Sequence, residues 1–276
     1  MKRRGRAAQP RVREARRPGG RRRWLRRWLR RWRRTGASGR LLIGVLLLAA
    51  CAALLNGVYQ VLRKPTELLF PVSGVLAKTP QETWRAYASA FRRYATHTIT
   101  PELLAALAQV EGSGNPLVRT YWRWSWVPRP LEVYRPASSA VGMYQITDGT
   151  FAEARHYCIH DHLLTHEGQW DDWHSCWFNA LYLRVMPADA VELTAAYLDL
   201  KVNAILARTG SAAAGPVRRR HLASLVHLCG AGAALAYAER GFRLQEGERC
   251  GAHDPREYLG RVDAMEAEFA RLSRAQ

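Results

Sequence analysis

The chain has 276 residues, of which 42 are Lys or Arg and 23 are Asp or Glu, and its formal net charge is +19. Residues 1–40 contain 18 of the basic residues and one acid, so the rest of the chain is nearly neutral. The charge therefore belongs to a tail, which argues against a body built to bind nucleic acid. A hydrophobic content of 48% excludes a wholly disordered chain, and the body is long enough for one globular domain.

The basic tail, residues 1–40, ends in an amphipathic segment. Residues 21–34 read RRRWLRRWLRRWRR, so a helix would collect the tryptophans and leucines on one stripe and the arginines elsewhere. This pattern is typical of a helix that lies on an anionic membrane surface. Two alternatives stay open. The arginines could serve only as a positive-inside signal, or they could bind nucleic acid, which is the least favoured interpretation.

An apolar run without any charged residue follows the tail. Residues 41–62 would form a helix of about 33 Å, which is enough to cross a bilayer core. The basic excess on its N-terminal side predicts a cytoplasmic N-terminus and a body on the other side of the membrane. Cys51 ends a stretch that resembles a lipoprotein cleavage box. Because the apolar run continues beyond it, we expect an uncleaved anchor rather than lipidation at Cys51 or a cleaved signal peptide.

The body is predicted to be mainly α-helical. Residues 63–98 are interpreted as a spacer followed by a leading helix, which starts after Thr79 and runs to about Tyr94. A second helix starts after Thr100 and ends near Gly112. Further helical patterns cover residues 147–156, 188–208, 219–240 and 254–274, and residues 120–136 are predicted to be irregular or extended. No run of alternating residues predicts a strand, so residues 99–276 are expected to form one helical domain.

Glu111 is the candidate catalytic residue. It shares a helical face with Leu104 and Leu107 and lies beside a glycine-rich break. Burial at the end of an apolar face favours the protonated form of a carboxyl group, which can then donate a proton to a leaving group. From the spacing alone, a solvated glutamate near a helix end is the simpler interpretation.

Five short blocks change that interpretation, because together they resemble one enzyme family. The first two are Gln109–Pro116 (QVEGSGNP), which contains Glu111, and Ser138–Thr147 (SSAVGMYQIT). The later three are Val191–Leu198 (VELTAAYL), His227–Gly232 (HLCGAG) and Pro255–Leu259 (PREYL). They resemble, in the same order, the E-S-x-x-N-P, G-A-x-G-L-M-Q, N-I-x-x-G-x-x-Y-L, Y-N-A-G-P-G and P-x-x-Y-V motifs of the lytic transglycosylase family with the SLT, goose-lysozyme-like domain.

The resemblance implies a lysozyme-like domain that cleaves the glycan strands of peptidoglycan with one glutamate and without a metal or cofactor. Glu111 would first protonate the glycosidic oxygen and then take the proton of the C6 hydroxyl, which closes an anhydro ring. The implied substrate-binding residues are Ser139, Gly142, Met143, Tyr144, Gln145, Tyr197, His227 and Tyr258. Two alternatives stay open: a lysozyme-like hydrolase of the same bond, and a glycan-binding scaffold without catalytic activity.

The sequence departs from the family pattern at several positions. Ala190 and Thr194 stand where the family has Asn and Gly, and His227-Leu228 replaces Tyr-Asn. The last replacement keeps a polar ring beside the cleft but predicts different hydrogen bonding.

The chain between the glutamate block and the Gly-Met-Tyr-Gln block is also longer than is usual in the family. It contains Trp122, Trp124 and Trp126. Alternating residues of an extended chain point to the same side, so these rings could form a wall that stacks on sugars. The alternative, which is favoured, is that they pack against the body.

Four cysteines lie outside the apolar run: Cys158, Cys176, Cys229 and Cys250. An even number of cysteines in a body outside the cytoplasm favours disulfides. Three pairings are possible, and we expect the two between sequence neighbours, Cys158–Cys176 and Cys229–Cys250. The alternative is a zinc site formed by the first two cysteines with nearby histidines, but no standard ligand spacing is present. Those histidines are His156, His160, His162, His166 and His174.

Together these features lead us to expect a single-pass inner-membrane protein with a periplasmic lytic transglycosylase domain. Peptidoglycan would be its substrate, and the arginine-rich tail would contact anionic lipids. Related enzymes open the wall locally for machinery that spans the cell envelope, such as secretion, pilus or conjugation systems.

Overall fold

The computed structural model describes residues 36–125, 129, 131–169, 171, 172 and 175–275. The amphipathic segment 21–34, Trp126 and His174 lie outside the described residues. The chain divides into two units, Met1–Leu55 and Asn56–Gln276. Of the described residues, 62% are helical and 8% lie in strands or bridges, so the described part of the chain is mainly helical, as predicted.

The predicted membrane segment forms one helix, α1 (Ala37–Arg63). It has 27 residues and spans about 40 Å, and its most apolar stretch of 18 residues has a mean hydropathy of 2.5. Its leucines and valines are exposed, and so is its free cysteine, Cys51. α1 is therefore a candidate membrane-spanning helix. A second helix, Pro216–Glu239, has sufficient length and apolarity as well, but its apolar residues contribute to the core of the second unit.

Short turns fill the region predicted as a spacer. Two 3₁₀ turns, Pro65–Leu69 and Gly74–Leu76, flank the one-turn helix α2 (Phe70–Ser73). The leading helix α3 (Pro80–Tyr94) starts at the predicted cap, where the Thr79 side chain accepts from the backbone of Glu82 and Glu82 accepts from the backbone of Thr79. Its side chains Trp84 and Phe91 are buried in the core. The leading helix therefore packs as part of the domain.

The remaining helices coincide with the predicted patterns to within a few residues. They are α4 (Pro101–Gly112), α5 (Asp148–Ala154), α6 (Pro187–Arg208), α7 (Pro216–Glu239) and α8 (Pro255–Arg274), and a 3₁₀ turn (Trp177–Leu181) lies before α6. Helix α4 is the centre of the fold, because every side chain from Leu103 to Ala108 is fully buried. It packs against α3, α6 and α8. A helix that is apolar on all sides requires such surroundings.

The structure contains two short hairpins, so the expectation of no strands was wrong. Strands β1 (Trp122–Trp124) and β2 (Tyr134–Pro136) pair antiparallel, with Trp122 opposite Pro136. Strands β3 (Tyr157–His160) and β4 (Leu163–His166) also pair antiparallel. Asp161 and His162 connect them, both at positive φ. The two-residue turns that need this conformation usually contain glycine or asparagine, so this hairpin was not evident from the sequence.

Both predicted disulfides are present, Cys158–Cys176 and Cys229–Cys250. They indicate an oxidising compartment. The zinc alternative loses its two thiolates to the first disulfide. His156 instead bonds Glu167, and His162 Nδ1 lies 2.8 Å from the Ala95 carbonyl oxygen. Within the part of the chain that the structure describes, no cluster of three or more His, Cys, Asp or Glu side chains could hold a metal ion.

Candidate active site

Glu111 lies in the last turn of the buried helix α4, and its side chain is 19% exposed. The helix ends immediately after it, because Ser113 adopts a left-handed conformation with φ of 50°. The Ser113 and Gly114 N–H groups bond the carbonyls of Gln109 and Ala108, which closes the helix. This ending turns the chain away from the carboxyl group and leaves it accessible at the edge of the core.

Tyr258 contacts the carboxyl group directly. Its hydroxyl donates a hydrogen bond of 2.6 Å to Glu111 Oε1. The residue lies in the first turns of α8, a helix that Asp254 caps by accepting from the N–H groups of Arg256 and Glu257. Burial, together with the nearby carboxylate, raises the pKa of Tyr258 well above its usual value. The hydroxyl therefore keeps its proton and remains a donor to Glu111.

His227 lies near the same oxygen. Its Nε2 atom is 3.9 Å from Glu111 Oε1, and its ring packs edge-on against Tyr144 at 6.4 Å between centroids. Burial lowers the pKa of His227, against the opposing effect of the Glu111 charge and of a hydrogen bond to the Tyr144 backbone. The imidazole is therefore neutral at neutral pH, so Glu111 has no cation at this position.

The Gly-Met-Tyr-Gln segment forms the wall behind Glu111. Met143 and Tyr144 are fully buried, and the Tyr144 hydroxyl donates to the Leu104 carbonyl oxygen at 3.0 Å. A Cβ atom on Gly112 would lie only 2.8 Å from the Met143 Cα and carbonyl oxygen. Glycine after the glutamate thus allows the end of α4 to touch this segment.

Gly142 and Gln145 shape the turn that carries the wall. Gly142 has φ of 79°, and a Cβ atom there would lie 2.2 Å from the Arg184 carbonyl oxygen. The Gln145 amide donates to the carbonyls of Gly142, at 2.9 Å, and Val118, at 3.2 Å. In this structure these two residues therefore hold the turn together.

Two of the sequence-predicted residues make their contacts elsewhere. The expected hydrogen bond of Ser139 near Glu111 is replaced by one from the Asp148 N–H, at 3.1 Å, because Ser139 lies beside the start of α5. Tyr197 faces the same helix, where its hydroxyl bonds Thr150. Ser139 lines a cavity of about 450 Å³ next to the end of α1, and Glu111 does not contribute to its lining.

Sequence reasoning missed the buried carboxyl group of Glu192. Its two oxygens accept from the Ile159 N–H at 3.0 Å and from the Tyr182 hydroxyl at 2.7 Å, and burial raises its pKa. Glu192 lies inside the VELTAAYL block, where its spacing is that of an ordinary helical residue. The hydrogen-bond partners of Glu192 differ from the partner of Glu111, so Glu192 belongs to a separate network.

The disulfide Cys229–Cys250 was predicted, but its relation to the site was not. Cys229 follows His227 closely in α7, at the point where Gly230 departs from helical geometry with φ of 81°. Cys250 lies in the loop that leads into α8, which carries Tyr258. The disulfide therefore ties together the two segments that supply the neighbours of Glu111.

No protein-family model matches the chain, and no curated protein matches it. The class of site is therefore argued from its geometry. It consists of a partly exposed carboxyl group at the end of a buried helix, a protonated tyrosine that donates to it, and a neutral histidine beside it. Such an arrangement suits a single group that gives and takes a proton.

Proposed function

We propose that the protein is a membrane-anchored lytic transglycosylase that cleaves the β-1,4 bond between MurNAc and GlcNAc in peptidoglycan. The observation that carries this proposal is the convergence of three sequence blocks on one carboxyl group. Glu111, His227 and Tyr258 come from separate helices, and both partners lie next to Oε1 of the glutamate. The same three blocks carry the resemblance to the SLT domain.

In the proposed reaction, the Glu111 carboxyl group protonates the glycosidic oxygen, and the bond from this oxygen to MurNAc C1 breaks. The N-acetyl group of the same sugar stabilises the positive charge that develops at C1. The Glu111 carboxylate then removes the proton of the C6 hydroxyl, whose oxygen forms a bond to C1. The proton from the C6 hydroxyl replaces the one that Glu111 gave to the leaving oxygen. The products are a 1,6-anhydroMurNAc end and a free GlcNAc hydroxyl. Because the nucleophile belongs to the same sugar, no second carboxylate is required to activate water.

The two neighbours of Glu111 support this cycle in different ways. Tyr258 is a positioning residue, because its bond to Oε1 fixes the carboxyl group and stabilises the carboxylate that must act as a base. Since the Tyr258 bond engages Oε1, we assign Oε2 to the contact with the substrate. The neutral His227 does not hold Glu111 in a permanent ion pair, so the carboxyl group can exchange its proton with the substrate in both steps.

The proposal places the domain in the periplasm, with α1 crossing the inner membrane once and the arginine-rich tail in the cytoplasm. The apolar, exposed surface of α1 and the two disulfides support this arrangement. Peptidoglycan strands would be the substrate and anionic lipids the partner of the tail. A fixed anchor suits local opening of the wall, as a secretion, pilus or conjugation apparatus requires.

The test is digestion of purified sacculi by the full chain in detergent micelles, with mass spectrometry of the released fragments. We expect anhydro ends from the natural chain and from Glu192→Gln, a matched loss of a buried carboxyl group, and none from Glu111→Gln. Reducing ends instead of anhydro ends would identify a hydrolase. Binding to sacculi without release by the natural chain would identify a scaffold.

A further inference from the structure

The hairpin insert, residues 119–136, has no role in the proposed reaction, but it is attached firmly to the end of helix α1. Asn56 Nδ2 donates to the Tyr134 carbonyl at 2.7 Å, and Gln60 Nε2 donates to the Leu131 carbonyl at 2.8 Å. Asn56 and Gln60 are both buried. The polar side chains that end an apolar helix thus bond the backbone of the insert.

Two buried carboxylates reinforce this attachment. Glu132, in the insert, pairs with Arg63 of α1 and with Arg135, each at 2.9 Å. Glu67, which follows α1, accepts from Arg119 at 3.1 Å and from the Trp122 indole N–H at 2.8 Å. Because breaking such a buried pair leaves an uncompensated charge, the insert is held in one position against the helix end.

The outer surface of the insert is rich in aromatic and aliphatic side chains. Tyr121 is 73% exposed and Trp124 is 68% exposed. Leu131, Val133 and Tyr134 are also exposed, and the rings of Trp122 and Trp124 both pack on Tyr134, at 5.2 and 4.9 Å between centroids. Tyr121 and Trp124 are therefore not packed against the body, whereas Trp122 donates to Glu67 and is partly buried.

Arginines border this surface. Arg63 and Arg129 are largely exposed even though each pairs with Glu132, and Arg123 is exposed on β1. Aromatic rings with arginines beside them match the boundary between lipid headgroups and acyl chains, where tryptophan and tyrosine are enriched and cations meet phosphates.

The contacts also fix the level of the insert along the helix. Asn56 and Arg63 are about 10 Å apart along the axis of α1, at 1.5 Å per residue. With the exposed Arg63 at the phosphates, the Asn56 contact lies at the level where headgroups give way to acyl chains, because each interfacial layer is about 5–8 Å thick. The side chains before Asn56 are apolar and exposed, as a lipid-facing helix requires.

We propose that the hairpin insert is a membrane-interface element that embeds Trp124 and its neighbours in an anionic phospholipid bilayer beside α1. This proposal rests on the proposed membrane anchoring but not on the proposed lytic activity. The insert serves to fix the domain against the membrane surface instead of letting it swing on a flexible stalk. A sugar-binding wall built from the same tryptophans is the competing outcome of the test.

The test measures the depth of nitroxide labels on single cysteines in the full chain, with Cys51 replaced by alanine. The chain is reconstituted in vesicles of phosphatidylcholine and phosphatidylglycerol. Labels replace Trp124 in the insert, Leu47 in α1 and Val217 at the start of α7. Val217 is the control, because it is 52% exposed and lies at the start of α7, outside both α1 and the hairpin insert.

We expect the ratio of oxygen to nickel-complex accessibility to be several-fold higher at positions 47 and 124 than at position 217. Asn56→Leu with Gln60→Leu should lower the ratio at position 124 and leave position 47 unchanged. A ratio at position 124 equal to that at 217 overturns the proposal, as does protection of position 124 by soluble glycan fragments but not by lipid. A water-accessible position 47 overturns the anchoring as well. Lytic activity of the same samples is scored separately, so a failure of one proposal is distinguishable from a failure of the other.

Discussion

Loss of the Tyr258 hydroxyl should reduce catalysis much more than it disturbs the fold. Tyr258→Phe removes the 2.6 Å hydrogen bond to Glu111 Oε1 and leaves the ring in its buried position. A hydrogen bond to a charged group contributes about 1.5–3 kcal/mol. If that contribution is made to the carboxylate that acts as base, kcat falls about 10- to 100-fold, since each 1.36 kcal/mol changes a rate about tenfold.

The matched control is Tyr182→Phe, because Tyr182 donates a similar bond of 2.7 Å to the buried Glu192 carboxyl group. Both variants lose one hydroxyl and one bond to a carboxyl group, so we expect similar losses in the free energy of unfolding. The rate of release of soluble fragments from labelled sacculi should fall only for Tyr258→Phe.

Equal rates for Tyr258→Phe and the natural chain would refute the positioning role of the hydroxyl. Equal loss of activity in both variants would refute it too, because the effect would then follow stability and not the contact with Glu111.

The remaining predictions concern packing, crosslinking and pH. Gly112→Ala should destabilise the fold by about 1–3 kcal/mol in urea unfolding, because its Cβ would press on backbone at 2.8 Å, whereas Gly260→Ala, with nothing within 4 Å, should gain about 1 kcal/mol; the opposite order would contradict this packing. Replacing both cysteines of Cys229–Cys250 by alanine should cost about 3 kcal/mol and also lower lytic activity, while the same change at Cys158–Cys176 should cost stability alone. Equal losses of lytic activity in the two variants would show that the Cys229–Cys250 disulfide does not support the site. Burial raises the pKa of Glu266 from its usual value of 4.5 to about 7, so its contribution to stability is fully present below pH 4.5 and is lost as the pH rises through 7. In Glu266→Gln, the urea midpoint of unfolding should fall less steeply as the pH rises from 4.5 to 7. A fall as steep as in the natural chain would contradict the raised pKa of Glu266.

The helices of this protein could be predicted because the residues that start them are neighbours in the sequence. Thr79, Thr100 and Asp254 each precede a proline and each caps the helix that follows. A cap satisfies free backbone N–H groups with its own side chain, so the signal does not depend on distant parts of the chain. The two disulfides were also predicted correctly, since they join cysteines that are near in sequence.

The contacts of the site were only partly predictable, because they depend on how distant segments pack. Tyr258 and His227, which the motif resemblance singled out, lie next to Glu111 in the structure. Ser139 lies in a matching block, yet its hydroxyl bonds the backbone at the start of α5. Burial of Glu192 depends on β3, which is connected to β4 by a turn at Asp161 and His162. Both turn residues adopt left-handed conformations that cannot be recognised from their residue types.

The attachment of the hairpin insert to α1 likewise could not be predicted from the periodicity of the sequence. Asn56 and Gln60 fall within the predicted span 41–62, and helical periodicity does not indicate a partner for either of them. Their partners are backbone carbonyls, which carry no residue-specific signal.

The central claim is that Glu111 passes a proton to the leaving oxygen and takes one from the C6 hydroxyl of the same sugar, without water. Digestion of sacculi by the full chain in water enriched in oxygen-18 tests it most directly, with mass spectrometry of the MurNAc ends. We predict anhydro ends that are lighter by one water and contain no heavy oxygen, and no release by Glu111→Gln. Heavy oxygen at C1 of the released ends, or anhydro ends formed by Glu111→Gln, would contradict the account.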